Sequence, residues 1–388
     1  MAASEAGSRA AEAAGAAGAA GAAGAAGAAG AAGTDPGQWV LVGDVGSSRL
    51  ALVDCPSGRR LAHVPVPGRL AAAPVPAGSL AYAVTREPAL ATYRLPGLER
   101  IATRRLPFAP AHLTASDGVA GLVAVGGSGP TPLLVVDART LADVHVYRPE
   151  RATTIGALAH VPGRASFLAG LARPESPAEV WELAHDANAP PVLKGLVHDY
   201  RMGEAVALPG RFTPRVAPVA SPTAALIAGA VPYEWLRVDA AGRATVLHLE
   251  VRREIARLPD PAGGAWLAAP WQGIRNGAGS RGWLVGMRGE RSIRLFESGS
   301  WQLTEPVALP GALLGLRSFD GNRSVLAAVA DGDGVALVAV DGPGSPPVGK
   351  RVVAARPASP RLLASQDGRC IALVDEADEW LGSVRAGQ

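Results

Sequence analysis

An all-β chain built from a radially repeated unit is what this sequence predicts, on three observations. A motif of two short apolar strands joined by an Asp, Gly or Pro turn recurs along the chain. Further apolar runs with turn signals fall between the copies. Helix signals are nearly absent, because 33 prolines punctuate the 388 residues and no long 3.6-residue periodicity survives.

The elements follow in order. From Glu12 to Gly33 the chain repeats Ala-Ala-Gly, with no large apolar side chain to bury. Such composition cannot drive a packed core, so residues 1–36 are expected to form a disordered tail. Glu5 and Glu12 stand where an export signal needs a basic head and a Leu-rich core, so no clear signal peptide is read there. No run approaches the length of a membrane-spanning helix, and no membrane span is expected.

Copies of the strand pair begin at Leu50, Leu90, Leu133, Val180, Ala244, Ser292, Val335 and Cys370. Eight copies in about 350 residues give a period of about 43. Between them lie S-L-A-Y-A-V, V-A-G-L-V-A-V, A-S-F-L-A-G-L and R-S-V-L-A-A-V. Each period therefore holds three or four strands. A four-stranded sheet cannot cover both of its faces alone. Packing each sheet between neighbours and closing the ring does so, which is the logic of a β-propeller. Residues 37–388 are expected to form one eight-bladed β-propeller.

The period is broken once. Between the fourth and fifth copies it stretches, and the extra material is read as Met202 to about Pro222. Directly before it lies the most polar stretch of a monotonous chain, where His198, Asp199, Tyr200, Arg201, Met202 and Glu204 fall within seven residues. Dense polar residues on a loop of a rigid frame mark a functional site.

Charge is nearly balanced at +3, and the arginines are scattered, so no nucleic-acid surface is expected. Cys55 and Cys370 sit near opposite ends of the folded region in apolar runs, with no C-x-x-C or C-x-x-C-H. This excludes a zinc ribbon and a c-type haem attachment, and the two are read as buried free thiols. A bridge would require the fold to bring the chain ends together. Gly126–Pro130 lacks the lysine of a phosphate loop, and no G-x-S-x-G or H-E-x-x-H motif occurs. No metal site is expected outside a haem.

The segment Glu179–Ala205 (E-V-W-E-L-A-H-D-A-N-A-P-P-V-L-K-G-L-V-H-D-Y-R-M-G-E-A) resembles the fourth blade of the haem d1 propeller of dissimilatory nitrite reductase and its biosynthetic paralogues. Pro132–Leu141, Leu249–Pro259, Leu309–Phe319 and Ser365–Val374 resemble other parts of the same family. The resemblance implies that haem d1, or a precursor of it, is the ligand and that His198 lies over the ring on its distal side. An imidazole there donates a hydrogen bond or proton to a bound group. Asp199 would fix its tautomer, Tyr200 would stand in the same turn, and Arg201 would pair with a haem carboxylate.

The chain departs from the family in three loops, Pro67–Pro74, Leu258–Trp266 and Arg356–Arg361, which lack the family's histidines. No haem c domain is read in the sequence. Turnover of nitrite by this chain alone is therefore disfavoured, and an accessory role in nitrite reduction or haem d1 maturation is expected. The implied partners are the tetrapyrrole and a nitrite reductase or maturation protein. If the protein is an enzyme, it is an oxidoreductase of these reactions. The resemblance places it in the periplasm, and the N-terminus leaves the cytoplasm open. A propeller that has lost its haem and serves as a binding or scaffold module is the alternative.

Other residues are read on their own. His112, in P-A-H-L-T, is a substitute for the missing axial ligand or a solvent-facing loop histidine. Arg211 and Arg215 are partners for ligand carboxylates or part of a solvated insertion. Trp266, Trp271 and Trp283 stack on a ring or, more ordinarily, pack between blades. His63 and His160 are read as edge residues, and His145, His185 and His248 as strand residues without a ligand role.

Overall fold

The computed structural model describes residues 35–388 apart from 118–120, 150–151, 175–176, 195–205, 262–265, 276–277, 343–347, 354–359, 376–379 and 386–388. Beyond one 3-10 turn at Pro36–Gln38, every regular element among the described residues is a β-strand.

The strands form successive antiparallel meanders. The first holds Trp39–Val42, Arg49–Asp54 and Arg59–Pro65; the second holds Val75–Ala77, Leu80–Thr85, Ala89–Arg94 and Glu99–Arg105. The third comprises Ala109–Ala115, Leu122–Gly129, Leu133–Asp137 and Asp143–Tyr147. The fourth comprises Thr153–Val161, Ser166–Ala172, Ala178–Ala184 and Arg215–Val219. Thr153 and Thr154 pair with Gly129 and Ser128, which fuses these two into one continuous sheet. The fifth holds Thr223–Ala228, Glu234–Asp239, Ala244–His248 and Arg253–Arg257, and the sixth Trp266–Arg275, Ala278–Met287, Ser292–Glu297 and Val307–Ala308. The seventh holds Leu313–Phe319, Ser324–Asp331, Gly334–Val340 and Val348–Val353, and the last Arg361–Ala364, Cys370–Val374 and Trp380–Arg385.

The apolar runs between the copies are the second strands of their meanders; the copies from Leu90 to Val335 begin at third strands, and those at Leu50 and Cys370 at the second strands of the first and last meanders. The second and third strands are buried on both faces. Val123, Ala124, Val125, Val135 and Val136 are fully inaccessible. That is why they read as unbroken apolar runs and not as an alternating pattern. The outermost strands are more open, as in Glu99–Arg105, where Glu99, Arg100 and Arg105 are exposed. Charge there protects a sheet edge from pairing with another chain.

Apolar clusters join each meander to the next. Tyr82 and Val84 pack against Val123 and Val125, and Leu133 and Val135 against Phe167 and Leu183. Further clusters link the fourth to the fifth, the fifth to the sixth, the sixth to the seventh and the seventh to the last. Another unites the first two. The series returns to its start, because Val40, Val42, Ala51 and Val53 pack on Ala372 and Val374 of the last meander. First strands approach closely around the centre: a Cβ on Gly156 would stand 2.3 Å from the Thr223 carbonyl oxygen, so this position admits only glycine.

This closure corrects the reading of the cysteines. Cys55 and Cys370 form a disulfide across 315 residues, with Cα atoms 6.2 Å apart and both side chains fully buried. They are not free thiols. Among the described residues neither terminal meander borrows a strand from the other, and the seam is held by this bond, the apolar cluster, the Arg361–Asp44 ion pair and the Gln366 and Asp367 amides, which donate to the Trp39 and Gly37 carbonyls. A cross-link closing so long a loop stabilises by about 2–5 kcal/mol.

The insertion is also displaced from where the spacing put it. It starts at His185 and ends near Pro214, and Arg215–Val219 is the fourth strand of its meander, paired with Ala178–Glu182. Within it, Val192–Lys194 and Val206–Leu208 form a separate hairpin.

Candidate functional site

The insertion leaves and rejoins the fourth meander at one point. The Phe212 amide donates to the Ala184 carbonyl at 2.7 Å, and the His185 amide donates to the Ala165 carbonyl at 2.8 Å. Arg211 Nε donates to the His185 carbonyl at 3.2 Å, and Arg215 Nη2 donates to Pro190 at 2.9 Å. Gly210 passes so close to the outgoing chain that a Cβ would stand 2.1 Å from the Ala189 carbonyl oxygen. Phe212 is held at φ 57°, a left-handed conformation that costs a bulky residue energy. Its ring compensates by burial. It stacks on His145 of the third meander at 5.0 Å and 14°, and the Arg211 guanidinium lies 5.0 Å above it.

Behind this base lies a histidine pair. His160 ends the first strand of the meander and His185 follows the third, and both rings pack on Phe167. Because cross-strand partners share a face, His160, Phe167 and Leu183 point the same way, toward the third meander. The two Nε2 atoms stand 3.5 Å apart, with the rings 22° from parallel. The side chains are 3 % and 5 % exposed, and His160 Nδ1 has no hydrogen-bond partner among the described residues. Burial pushes His160 down to about 4, opposed by the Asp117 carboxylate. Burial lowers His185 as well, again opposed by Asp117, while Arg211 adds to the fall. Both imidazoles are therefore neutral near pH 7 and present lone pairs.

The predicted site residues are distributed as follows. His198, Asp199, Tyr200 and Arg201 lie outside the described residues, in the 195–205 link of the hairpin. Arg211 and Arg215 are brought together with the base of the insertion. Arg211 is exposed, and only its Nε has a hydrogen-bond partner among the described residues. His112 is not a loop residue: it sits half-buried on Ala109–Ala115, hydrogen-bonded to the backbone of Ile155, and burial pushes it down to about 4. His160 lies on a first strand and pairs there with Phe167 alone. Sequence reasoning passed over His160, His185, His145 and Phe212. The one local signal was the second His-Asp step, His185-Asp186, at a strand end.

The tryptophans are structural. Trp271 Nε1 donates to the Asp341 carbonyl and Trp283 Nε1 to the Ala228 carbonyl, each at 3.0 Å and each tying one meander to its neighbour. Trp266 Nε1 donates to Pro259. Two clefts lie elsewhere. One of about 500 Å³ is lined by Arg257, Phe296, Trp301 and Leu303. The other, of about 330 Å³, lies beside the Arg237–Glu254 ion pair. Among the described residues no three His, Cys, Asp or Glu side chains gather as a metal-binding group, and no helix is long and apolar enough to cross a membrane.

No protein-family model matches the chain, and no curated protein matches it. Solved structures do. Dihydro-haem d1 dehydrogenase NirN, in complex with DHE, superposes with a TM-score of 0.66 at 19% identity, over 91% of this chain and 74% of that one. The RRP9 WD40 repeats give 0.51 at 12% identity over 76% and 84%, and U3-55K gives 0.50 at 12% over 76% and 85%. At these identities the likeness shows the fold, a β-propeller.

Proposed function

We propose that the protein is an eight-bladed propeller that binds a tetrapyrrole of the haem d1 class at the end of the ring bearing the insertion. On this reading it is an accessory to nitrite reduction or to haem d1 maturation. The fused sheet counts as two blades, third and fourth. The observation that carries the ligand reading is the built base of the insertion. A strained Phe212, its stack on His145 and the Arg211 guanidinium anchor the point where the insertion rejoins its meander, at an energetic cost that a mere connection would not need. The bound form of NirN supports the ligand class by likeness of fold.

The residues fit the organic ring better than its iron. Arg211 offers free guanidinium nitrogens to a ring carboxylate, and such pairs form in bidentate fashion. Iron finds less, since His112 is bonded to Ile155 and no three-ligand group exists among the described residues. No reaction step is therefore derived through the iron, and the tetrapyrrole is read as ligand or cargo. His198, Asp199, Tyr200 and Arg201 are the proposed contacts from the hairpin, with His198 over the ring. The buried Cys55–Cys370 bond supports an oxidising compartment, in keeping with the periplasm.

Titration of the purified protein with haem d1 or its dihydro precursor tests this. A shifted Soret band at micromolar ligand is expected, weakened at least about tenfold by His198→Ala and by Arg211→Ala. An unchanged spectrum overturns it. A scaffold role is the second reading, favoured by the exposed Leu193 and Val206 of the hairpin, 57% and 61% accessible, and by the likeness to WD40 repeats. It predicts a silent titration and a complex with nitrite reductase or a maturation protein that Leu193→Glu weakens in sedimentation.

A further inference from the structure

The His160–His185 pair is incomplete as a hydrogen-bonded unit. Two neutral imidazoles carry two N–H donors and two lone pairs. Their single mutual contact, Nε2 to Nε2 at 3.5 Å, is at the outer limit for a hydrogen bond. It uses one donor and one lone pair. In either tautomer His160 Nδ1, buried and without a partner among the described residues, stays unspent. With both ring protons on Nδ1 the two Nε2 lone pairs face one another, and a buried pair left this way costs stability unless a third body joins them.

We propose that this third body is a divalent transition-metal ion held between the two Nε2 atoms, a site separate from the tetrapyrrole. The distance suits it. Two imidazole nitrogens at about 2.05 Å from a tetrahedral ion stand about 3.3 Å apart, close to the separation already present. Imidazole pairs select copper, zinc or nickel over magnesium or calcium, which need oxygen ligands. The rings do not have to be brought together, because Phe167 lies against both. Asp117, whose charge acts on both rings, partly neutralises the ion from the third meander. Water or an added ligand fills the remaining positions. The ion would rivet the strand end at His160 to the foot of the insertion at His185, stiffening the base on which Arg211 and Phe212 stand.

The test uses untagged full-length protein stripped with EDTA. Calorimetric titration with Cu(II) and with Zn(II) is expected to show about one ion per chain with submillimolar affinity. The copper EPR spectrum should carry nitrogen superhyperfine structure from two imidazoles. His185→Gln and His160→Phe should each weaken binding at least about tenfold, while the exposed His63→Ala leaves it unchanged. Should either variant fail to fold, the wild-type EPR spectrum decides alone. Binding that survives both substitutions, or a spectrum without two imidazole nitrogens, overturns the site and leaves a packing pair. Neither result depends on the tetrapyrrole titration.

Discussion

Two buried polar groups in neighbouring meanders make opposite use of the same fold. In the fifth, Arg237 is 1% exposed and fully engaged. It donates to the Ser221 carbonyl at 2.7 Å, to Thr245 and to Glu254, and pairs with that carboxylate at 2.7 Å. Ser221 in turn donates to Asp239, which also receives Arg243 and two backbone amides. At the boundary of the third and fourth meanders, His145, His160 and His185 are packed against aromatic rings, and with His112 they make few hydrogen bonds. His160 and His185 share one long contact, and His112 has the backbone of Ile155. A complete network fixes a scaffold, and an incomplete one is where a ligand has room to act.

The contrast can be broken in four ways. Arg237→Met should have the largest effect, about 3–5 kcal/mol in urea melts, because it strands Glu254 partly buried without its cation and leaves the Ser221 carbonyl without its donor. A loss below about 1 kcal/mol would mean the network is ornamental. Phe212→Ala should cost about 2–4 kcal/mol and free the insertion for proteolysis, as expected when a buried ring is removed.

The pH profile separates the regions by sign and window. For His112 the folded value is about 4 and the unfolded value about 6.5, so the unfolded chain binds more protons between them. Its share of stability is full above about pH 6.5 and falls by about 1–3 kcal/mol as pH drops to about 4; His160 adds to the same limb, so His112→Asn should make it shallower and not abolish it. In the fifth meander burial would raise Glu254 and Asp239, but their hydroxyl and arginine partners hold both below the usual carboxylate range. Their contribution therefore persists through the histidine window and is lost only at more acid pH. Melts from pH 8 to 3 read both limbs. Arg211→Ala is the smallest expected effect, under about 0.5 kcal/mol on stability, since its guanidinium is exposed. Its cost should appear in ligand binding instead.

Much of the fold was legible because its strands are short, apolar and regularly spaced. Leu80–Thr85, Ser166–Ala172 and Ser324–Asp331 lie where the runs between copies predicted strands. The edges of the insertion were not legible. Arg215–Val219 reads as part of a polar loop, and only its pairing with Ala178–Glu182 makes it a strand. The candidate site was half legible. Arg211 and Arg215 stood out by composition, whereas His160 and His185 are 25 residues apart and look like ordinary strand residues until two cross-strand steps place them on one face.

By itself the sequence determined the all-β class, the radial repeat and the position of the one polar island, because these follow from local periodicity and turn chemistry. The tertiary structure decided what depends on distance through space. It joined Cys55 to Cys370 across 315 residues, turned Trp271 and Trp283 into ties between meanders, and set two imidazole Nε2 atoms 3.5 Å apart behind the insertion. The physical reason is closure. In a ring, residues far apart in the chain become neighbours, and no local pattern records which ones.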